Sequence, residues 1–264
     1  MLLATENDRN KITAFCSAEP EFNLFLLGDV EHYGFDNPKC RVFYNEVDGK
    51  INAVVLSYLK FINVYTRANT MDISPVAEQI NLLLNEGSIG ISGKRDSVEQ
   101  VEPLLLKHPK IVKSQYFAKC EKTEGLEGLP LELVEYAVPE NATEIVELFD
   151  RVPEFTNTDR DEFENSLSDG SRKTTIIKVD GRIVSTASLA AENSKSGMII
   201  GVATEPDEKF RNKGYASACT FRIADDLYRR RGKSACLFFD NPKAASIYHR
   251  IGFKDIGFWK MLDF

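Results

Sequence analysis

The chain has 264 residues, 43% of them apolar, and a formal net charge of −7; it can bury two modest cores, and neither half, each slightly negative, offers the basic face that nucleic-acid phosphates require. Cys16, Cys40, Cys120, Cys219 and Cys236 form no C-x-x-C pair, and His32, His108 and His249 stand far apart, which argues for a reducing cytoplasm and against disulfides or a metal. "MLLATENDRNK" is charged where a secretory signal is apolar, and no run of about 18 apolar residues exists to span a bilayer, so the expectation is a soluble, cytoplasmic protein with no membrane partner.

In chain order, "DRNKITAFCS" spaces apolar residues at three and four and predicts a helix ending near Pro20. "CRVFYNEV" and "INAVVLSYL" flank an Asp-Gly pair and predict a tight hairpin. "FINVYT" reads as a strand, followed by "RANTMDISPVAEQINLLLNEG" and a short strand "SIGISG". Glycines, a proline and charges then cluster at residues 124–132 as a linker.

The second half repeats this order. "AEPEFN" at Ala18 to Asn23 returns as "RVPEFTN" at Arg151 to Asn157, and "EVDGKI" at Glu46 to Ile51 returns as "KVDGRI" at Lys178 to Ile183, with nearly one offset. "ATEIVELFDRV" predicts the matching helix, and "KTTIIKV" and "RIVSTASLA" the matching hairpin. This is a tandem duplication: 1–123 as the first domain and 133–264 as the second.

The copies diverge after the hairpin. "GMIIGVATEPDEKFRNKGYASACTFRIADDLYRRRGK" reads as strand, charged turn and a helix with Ala218, Phe221, Ala224 and Leu227 on one stripe. A helix start offers unpaired N–H groups and partial positive charge, so this turn can hold an anion. Gly214 admits close approach, Arg211 and Lys213 add charge, and Ala216 leaves room. A strand "SACLFFD" and a helix "NPKAASIYHR" follow, with Pro242 in the first turn and Gly252 past the end.

This ordered series resembles the GNAT acetyltransferase superfamily. The resemblance implies an α/β fold with a mixed sheet, a tandem of GNAT-like acyl-CoA N-acyltransferase domains in which the C-terminal copy is complete and the N-terminal copy truncated. "RNKGYA" is similar to the family's pyrophosphate loop, which implies that acetyl-CoA is the cosubstrate, held by Arg211, Asn212, Lys213, Gly214, Tyr215 and Ala216. The strand Ile199 to Thr204 would splay from "LFFD", with Val202, Ala203 and Thr204 holding the pantetheine arm and thioester carbonyl. Asn241 maps onto the pantetheine-contacting asparagine, and Tyr248 onto the general acid that protonates the thiolate. The implied activity is acetyl transfer to a primary amine of a small molecule, with no metal, by a monomer or homodimer. Glu154, Phe155 and Asp159 are candidate acceptor contacts. No carboxylate stands on "GMIIGVAT", and Glu192 and Glu205, the nearest acids, read as solvated turn charges, leaving the general base unassigned.

The first half lacks an R-x-x-G-x-G/A loop after "FINVYT", and "SGKRDS" reads as a strand-to-helix turn, which implies a degenerate GNAT-like copy. Two other classes remain open on the sequence: a non-catalytic acyl-CoA or amine sensor, and a protein acetyltransferase acting on lysines or N-termini.

Overall fold

The computed structural model describes residues 1–67, 72–125, 127–155, 158–240 and 242–264. The chain forms two compact units, Met1–Phe117 with Ile256–Phe264, and Ala118–Asp255.

Unit 1 begins with β1 (Leu2–Leu3), α1 (Arg9–Cys16) and α2 (Leu24–Tyr33), then β2 (Cys40–Val47), β3 (Lys50–Tyr58), β4 (Phe61–Thr66), α3 (Ser74–Asn85), β5 (Gly90–Lys94) and α4 (Arg95–Val101). β6 (Ile111–Cys120) runs across the boundary between the units. Unit 2 repeats the pattern with β7 (Val134–Tyr136), α5 (Ala142–Asp150), α6 (Arg160–Ser168), β8 (Lys173–Val179), β9 (Arg182–Glu192), β10 (Ser196–Thr204), α7 (Tyr215–Arg231), β11 (Ser234–Phe239) and α8 (Pro242–Arg250). The last strand, β12 (Lys254–Asp263), returns to unit 1.

Strand order is β1-β2-β3-β4-β5-β12 in unit 1 and β7-β8-β9-β10-β11 in unit 2, with β6 next to β11. Both sheets are mixed: β4 runs parallel to β5 and β10 parallel to β11, and the hairpin pairs are antiparallel. The two copies fold alike in detail. Asp48 and Gly49 both have positive φ, as do Asp180 and Gly181, the conformation of the two-residue turn that matches strand twist. Each hairpin also shifts register two residues before its turn, at Asn45/Glu46 and at Ile177/Lys178. Duplication explains this agreement.

The cores follow from the alternation of the strands. In unit 1, Ile12, Val30, Val42, Val54 and Leu56 are buried with α1 and α2, and Val55, Val64, Ile80, Leu83 and Val98 with α3 and α4. In unit 2, α7 lays Ala218, Phe221, Ala224 and Leu227 on the sheet, the predicted stripe. α5 and α6 bury Ile145, Phe149 and Phe163 against Ile176 and Ile183.

The domain limits differ from those read in the sequence. Residues 124–132 do not behave as a free linker: Leu129 is buried in the unit 2 core, and the Arg250 Nη2 donates to Glu127 O at 2.6 Å. Ala118 and Cys120, assigned to the first domain, also belong to that core. Residues 256–264, assigned to the second domain, pair with β5 in unit 1 from Trp259↔Lys94 to Asp263↔Gly90, and bury Trp259 and Leu262 there. The physical reason is that a sheet edge needs a partner strand, and each copy's last strand, separate in sequence from its helices, is free to satisfy an edge elsewhere.

A fragment Leu131–Phe264 therefore lacks Ala118, Cys120 and Leu129 from its own core and carries β12 without β5. It is expected to aggregate or to unfold well below the full chain, as read by size-exclusion chromatography and thermal melts. A monomeric fragment as stable as the whole chain would show that these segments contribute no essential packing.

Candidate functional site

The site in unit 2 begins where β10 and β11 part. They pair from Ser196↔Ser234 to Ile199↔Leu237, after which β10 continues to Thr204 beside β9 alone. Against β9 the register shifts between Ile200↔Ser188 and Ala203↔Thr186, so Gly201 and Val202 together face Ala187. Gly201 has φ +61, the left-handed conformation of a bulge glycine, and Phe149 would lie 3.2 Å from any Cβ added there. Among the described residues, β10 has no partner strand on the β11 side beyond Ile199. The glycine inside "MIIGVAT" was the available sequence signal for this bulge.

Val202 packs in part against the unit 2 core. The Ala203 methyl is buried among the α5 and α6 residues, and its carbonyl accepts from Ser185 Oγ at 2.7 Å. Thr204 Oγ1 lies 2.9 Å from the same hydroxyl. Of the three predicted contacts, Thr204 lines the cavity described next.

That cavity, of about 390 Å³, opens at the start of α7 and is lined by Arg211 to Ser217, with Ser246, Ile247 and Arg250 of α8. Arg211 is extended, with φ −76 and ψ 153, Asn212 turns left-handed at φ 57, and Gly214 caps α7 at φ 77 and ψ 8. Gly214 is required at this turn. Its φ strains any other residue, and an added Cβ would meet Pro130 Cδ at 3.4 Å and Leu129 Cδ2 at 3.6 Å. The Ala218 N–H donates to Gly214 O at 2.9 Å, and the N–H groups of Tyr215, Ala216 and Ser217 before it have no backbone acceptor among the described residues. Arg211 and Lys213 have no ion-pair partner among the described residues. The cavity therefore collects main-chain donors, helix-dipole charge and free side-chain cations, the composition of an anion site.

Ser246 and Arg250 were missed by the sequence reading. They lie one helical turn apart on α8, the spacing that could have grouped them with the loop once the direction of α8 was known.

Tyr248 is 7% exposed, and its ring packs on Phe239 at 5.6 Å and Phe253 at 6.1 Å between centroids. Its hydroxyl has no hydrogen-bond partner among the described residues. Burial, with a smaller contribution from the Asp240 charge, pushes the phenol up to about 12 from an ordinary 10.0. The group stays protonated across the physiological range. Asn241 lies outside the described residues.

The remaining predicted residues have different surroundings. Glu154 is exposed. Phe155 stacks on Phe149 at 4.6 Å and joins the α5–α6 packing. Asp159 caps α6, its Oδ1 accepting from Glu162 N at 2.8 Å, so its carboxylate already has a structural task.

Glu192 is an exposed charge, as its position suggested, whereas Glu205 is buried. Glu192 bridges Arg231 at 2.5 Å and Lys233 at 2.6 Å. Glu205, 6% exposed, accepts from Arg151 at 2.9 Å and Arg182 at 2.8 Å, joining the ends of α5 and β10 to the start of β9. Sequence spacing hides both arrangements because the partners come from separate elements. No group of three or more His, Cys, Asp or Glu among the described residues could hold a metal ion, and no described helix is long and apolar enough to cross a membrane.

Residues 140–253 match the family model for the acetyltransferase (GNAT) family. Among solved structures, a GCN5-related N-acetyltransferase from Sphaerobacter thermophilus is 16% identical with a TM-score of 0.63, covering 98% of this chain and 93% of that one. A GCN5-related N-acetyltransferase from Kribbella flavida, also 16% identical, has a TM-score of 0.62 over 91% and 93% of the two chains. A tandem GNAT protein from the clavulanic acid biosynthesis pathway, 10% identical, has a TM-score of 0.58 over 98% and 97%. At these identities the likeness is one of fold, and it extends over both units. No curated protein matches the chain by sequence.

The Glu205 clamp carries a stability prediction. Glu205→Gln keeps the volume and removes the charge that both arginines face, so it is expected to cost about 1.5 to 3 kcal/mol in urea unfolding, the range of hydrogen bonds to charged groups. An unchanged midpoint would show that Arg151 and Arg182 are held equally well by solvent.

Proposed function

Because residues 140–253 are a domain of the acetyltransferase (GNAT) family, we propose that the protein is an N-acetyltransferase that uses acetyl-CoA to acetylate a primary amine, the amine of a small molecule. The observation that carries this reading is the anion cavity at the start of α7, set beside the parting of β10 from β11. Its donor set fits a pyrophosphate: helix-start N–H groups, a left-handed glycine at the turn, and Arg211 and Lys213 without carboxylate partners among the described residues. Arg250, reaching the same cavity from α8, adds a third cation.

Acetyl-CoA supplies an activated acyl thioester. The protein's own part is to position and to move protons. The strand groups of β10 beyond Ile199 are available to orient the pantetheine arm and to stabilise negative charge on the carbonyl oxygen. Tyr248, protonated and without a competing hydrogen bond, donates to the departing thiolate sulfur, and its burial keeps that proton in place at neutral pH. The amine loses its proton to water, since Glu192 and Glu205 are both engaged in ion pairs. Phe155 and Glu154 precede α6 on the segment that we assign to the acceptor side.

Unit 1 differs at the corresponding place. Thr66, two residues beyond the last β4–β5 pair, donates its N–H to Ser97 Oγ at 2.9 Å, and its hydroxyl accepts from Gln100 at 3.0 Å. The connection that corresponds to Arg211–Gly214 in chain order, from β4 to α3, carries no R-x-x-G-x-G/A in its sequence, which supports one acetyl-CoA site per chain.

Calorimetry with coenzyme A is expected to give one site per chain. Gly214→Val should weaken it more than Lys213→Ala, because the first strains the left-handed turn that places the main-chain donors whereas the second removes one exposed, screened charge. Two equivalent sites, or the reverse order in folded variants, would overturn the assignment.

Tyr248→Phe is expected to leave coenzyme A affinity nearly unchanged and to lower turnover by about 10², the low end of the range for general acid assistance. With the phenol near 12, the wild-type rate should show no Tyr248 limb below about pH 10. Equal turnover by the Phe variant, with the chemical step shown to be rate-limiting, would return Tyr248 to a packing role alone.

A further inference from the structure

Unit 1 contains a cavity of about 630 Å³ that none of this chemistry uses. It lies where β2 begins and β3 turns into β4, and Lys39, Arg41, Ser57, Leu59, Lys60 and Phe61 line it.

Three features of this lining bear on what it could hold. Ser57 is 3% exposed as a residue and lines the cavity, and its hydroxyl has no hydrogen-bond partner among the described residues, so it is available to a molecule in the cavity. It sits directly across from Arg41 in the β2–β3 register. Leu59 adopts φ +52, a strained conformation for a leucine, while its side chain is 59% exposed. The turn is held there by Leu59 N donating to Lys39 O at 3.1 Å and Ile89 N donating to Lys60 O at 2.8 Å. Phe61, next but one in sequence, is 55% exposed. Two large apolar side chains are thus presented to the same cavity without burial.

The charges give the third feature. Arg41 is held by Glu86 at 2.6 Å, whereas Lys39 and Lys60 have no carboxylate partner among the described residues. The chain as a whole carries −7. Two unpaired lysines beside an unpaired serine hydroxyl form a local exception to the protein's general repulsion of anions.

We infer that this cavity binds a small organic anion with an apolar body. The head group, a carboxylate or phosphate, is held by Lys39 and Lys60, with one oxygen accepting from Ser57 Oγ, and the apolar body covers Leu59 and Phe61. The site is independent of the acetyl-CoA site and gives unit 1 a binding role of its own. A carboxylate and a phosphate share this recognition, and the two are told apart by their relative affinities.

The test uses the full chain and calorimetry with octanoate, octyl phosphate and octyltrimethylammonium, a cation that is not a primary amine. Each anion is expected to bind once per chain, the tighter of the two identifying the head group, and the cation is expected not to bind. Lys39→Glu/Lys60→Glu should weaken the anions by roughly ten- to a hundredfold, the effect of losing charge-assisted hydrogen bonds. Ser57→Ala should weaken them several-fold. Leu59→Asn, a residue that accepts the left-handed turn, should weaken binding while the melting temperature holds. Octyltrimethylammonium binding as tightly as octanoate would overturn the inference. So would failure of both anions to bind at millimolar concentration, or binding that survives the double lysine variant and disappears in Arg211→Ala, which would place the anion in the unit 2 cavity.

Discussion

The feature on which the site depends is the early end of the parallel pairing between β10 and β11. Four residue pairs join them, and after Ile199 and Leu237 they diverge. A strand that keeps one neighbour and loses the other retains its position through β9 while leaving main-chain groups on its open side. The bulge at Gly201 and Val202 adds twist at this point. From the far end of β10 the chain must return through Arg211–Gly214 to begin α7, and the left-handed Gly214 makes that reversal possible without a side chain in the way. The anion cavity is the space that this reversal encloses with α8.

The duplicate in unit 1 shows what the same plan does when the gap is filled. Both copies keep the hairpin, its turn and its register shift, because these are set by local pairing and by the Asp-Gly conformation. They part at the following strand. In unit 1, Ser97 and Gln100 of α4 satisfy Thr66, and Gly93 lies so close to Val64 O that no side chain could stand there. These bonds take up the Thr66 N–H and carbonyl. The two copies thus illustrate a trade between a satisfied backbone and an available one.

Tyr248 combines two roles that are usually separate. Its ring contributes to the same core as Phe239, Phe253 and Ile251, and its hydroxyl has no hydrogen-bond partner among the described residues. Core packing fixes the ring, and burial holds the proton. Glu205 shows the opposite resolution: a carboxylate near the site is neutralised by Arg151 and Arg182 and serves to join three elements.

Much was legible in the sequence because it depends on neighbours along the chain. The apolar stripe of α7, the two Asp-Gly hairpins, the glycine cap at 214, the strand-to-helix turn in "SGKRDS" and the duplication all rest on local conformation or periodicity. So does the grouping of Arg211, Lys213, Gly214 and Ala216 at one turn. Only the tertiary structure decided which edge each final strand would satisfy, sending residues 256–264 to unit 1 and Ala118–Cys120 to unit 2. It also decided that Asp159 would cap a helix, that Glu205 would meet two arginines, and that Ser246 and Arg250 would face the anion loop. The physical reason is the same in each case. Strand edges and charges choose partners by distance and burial, and residues such as Glu205 and Arg151 become neighbours only after the intervening chain has folded.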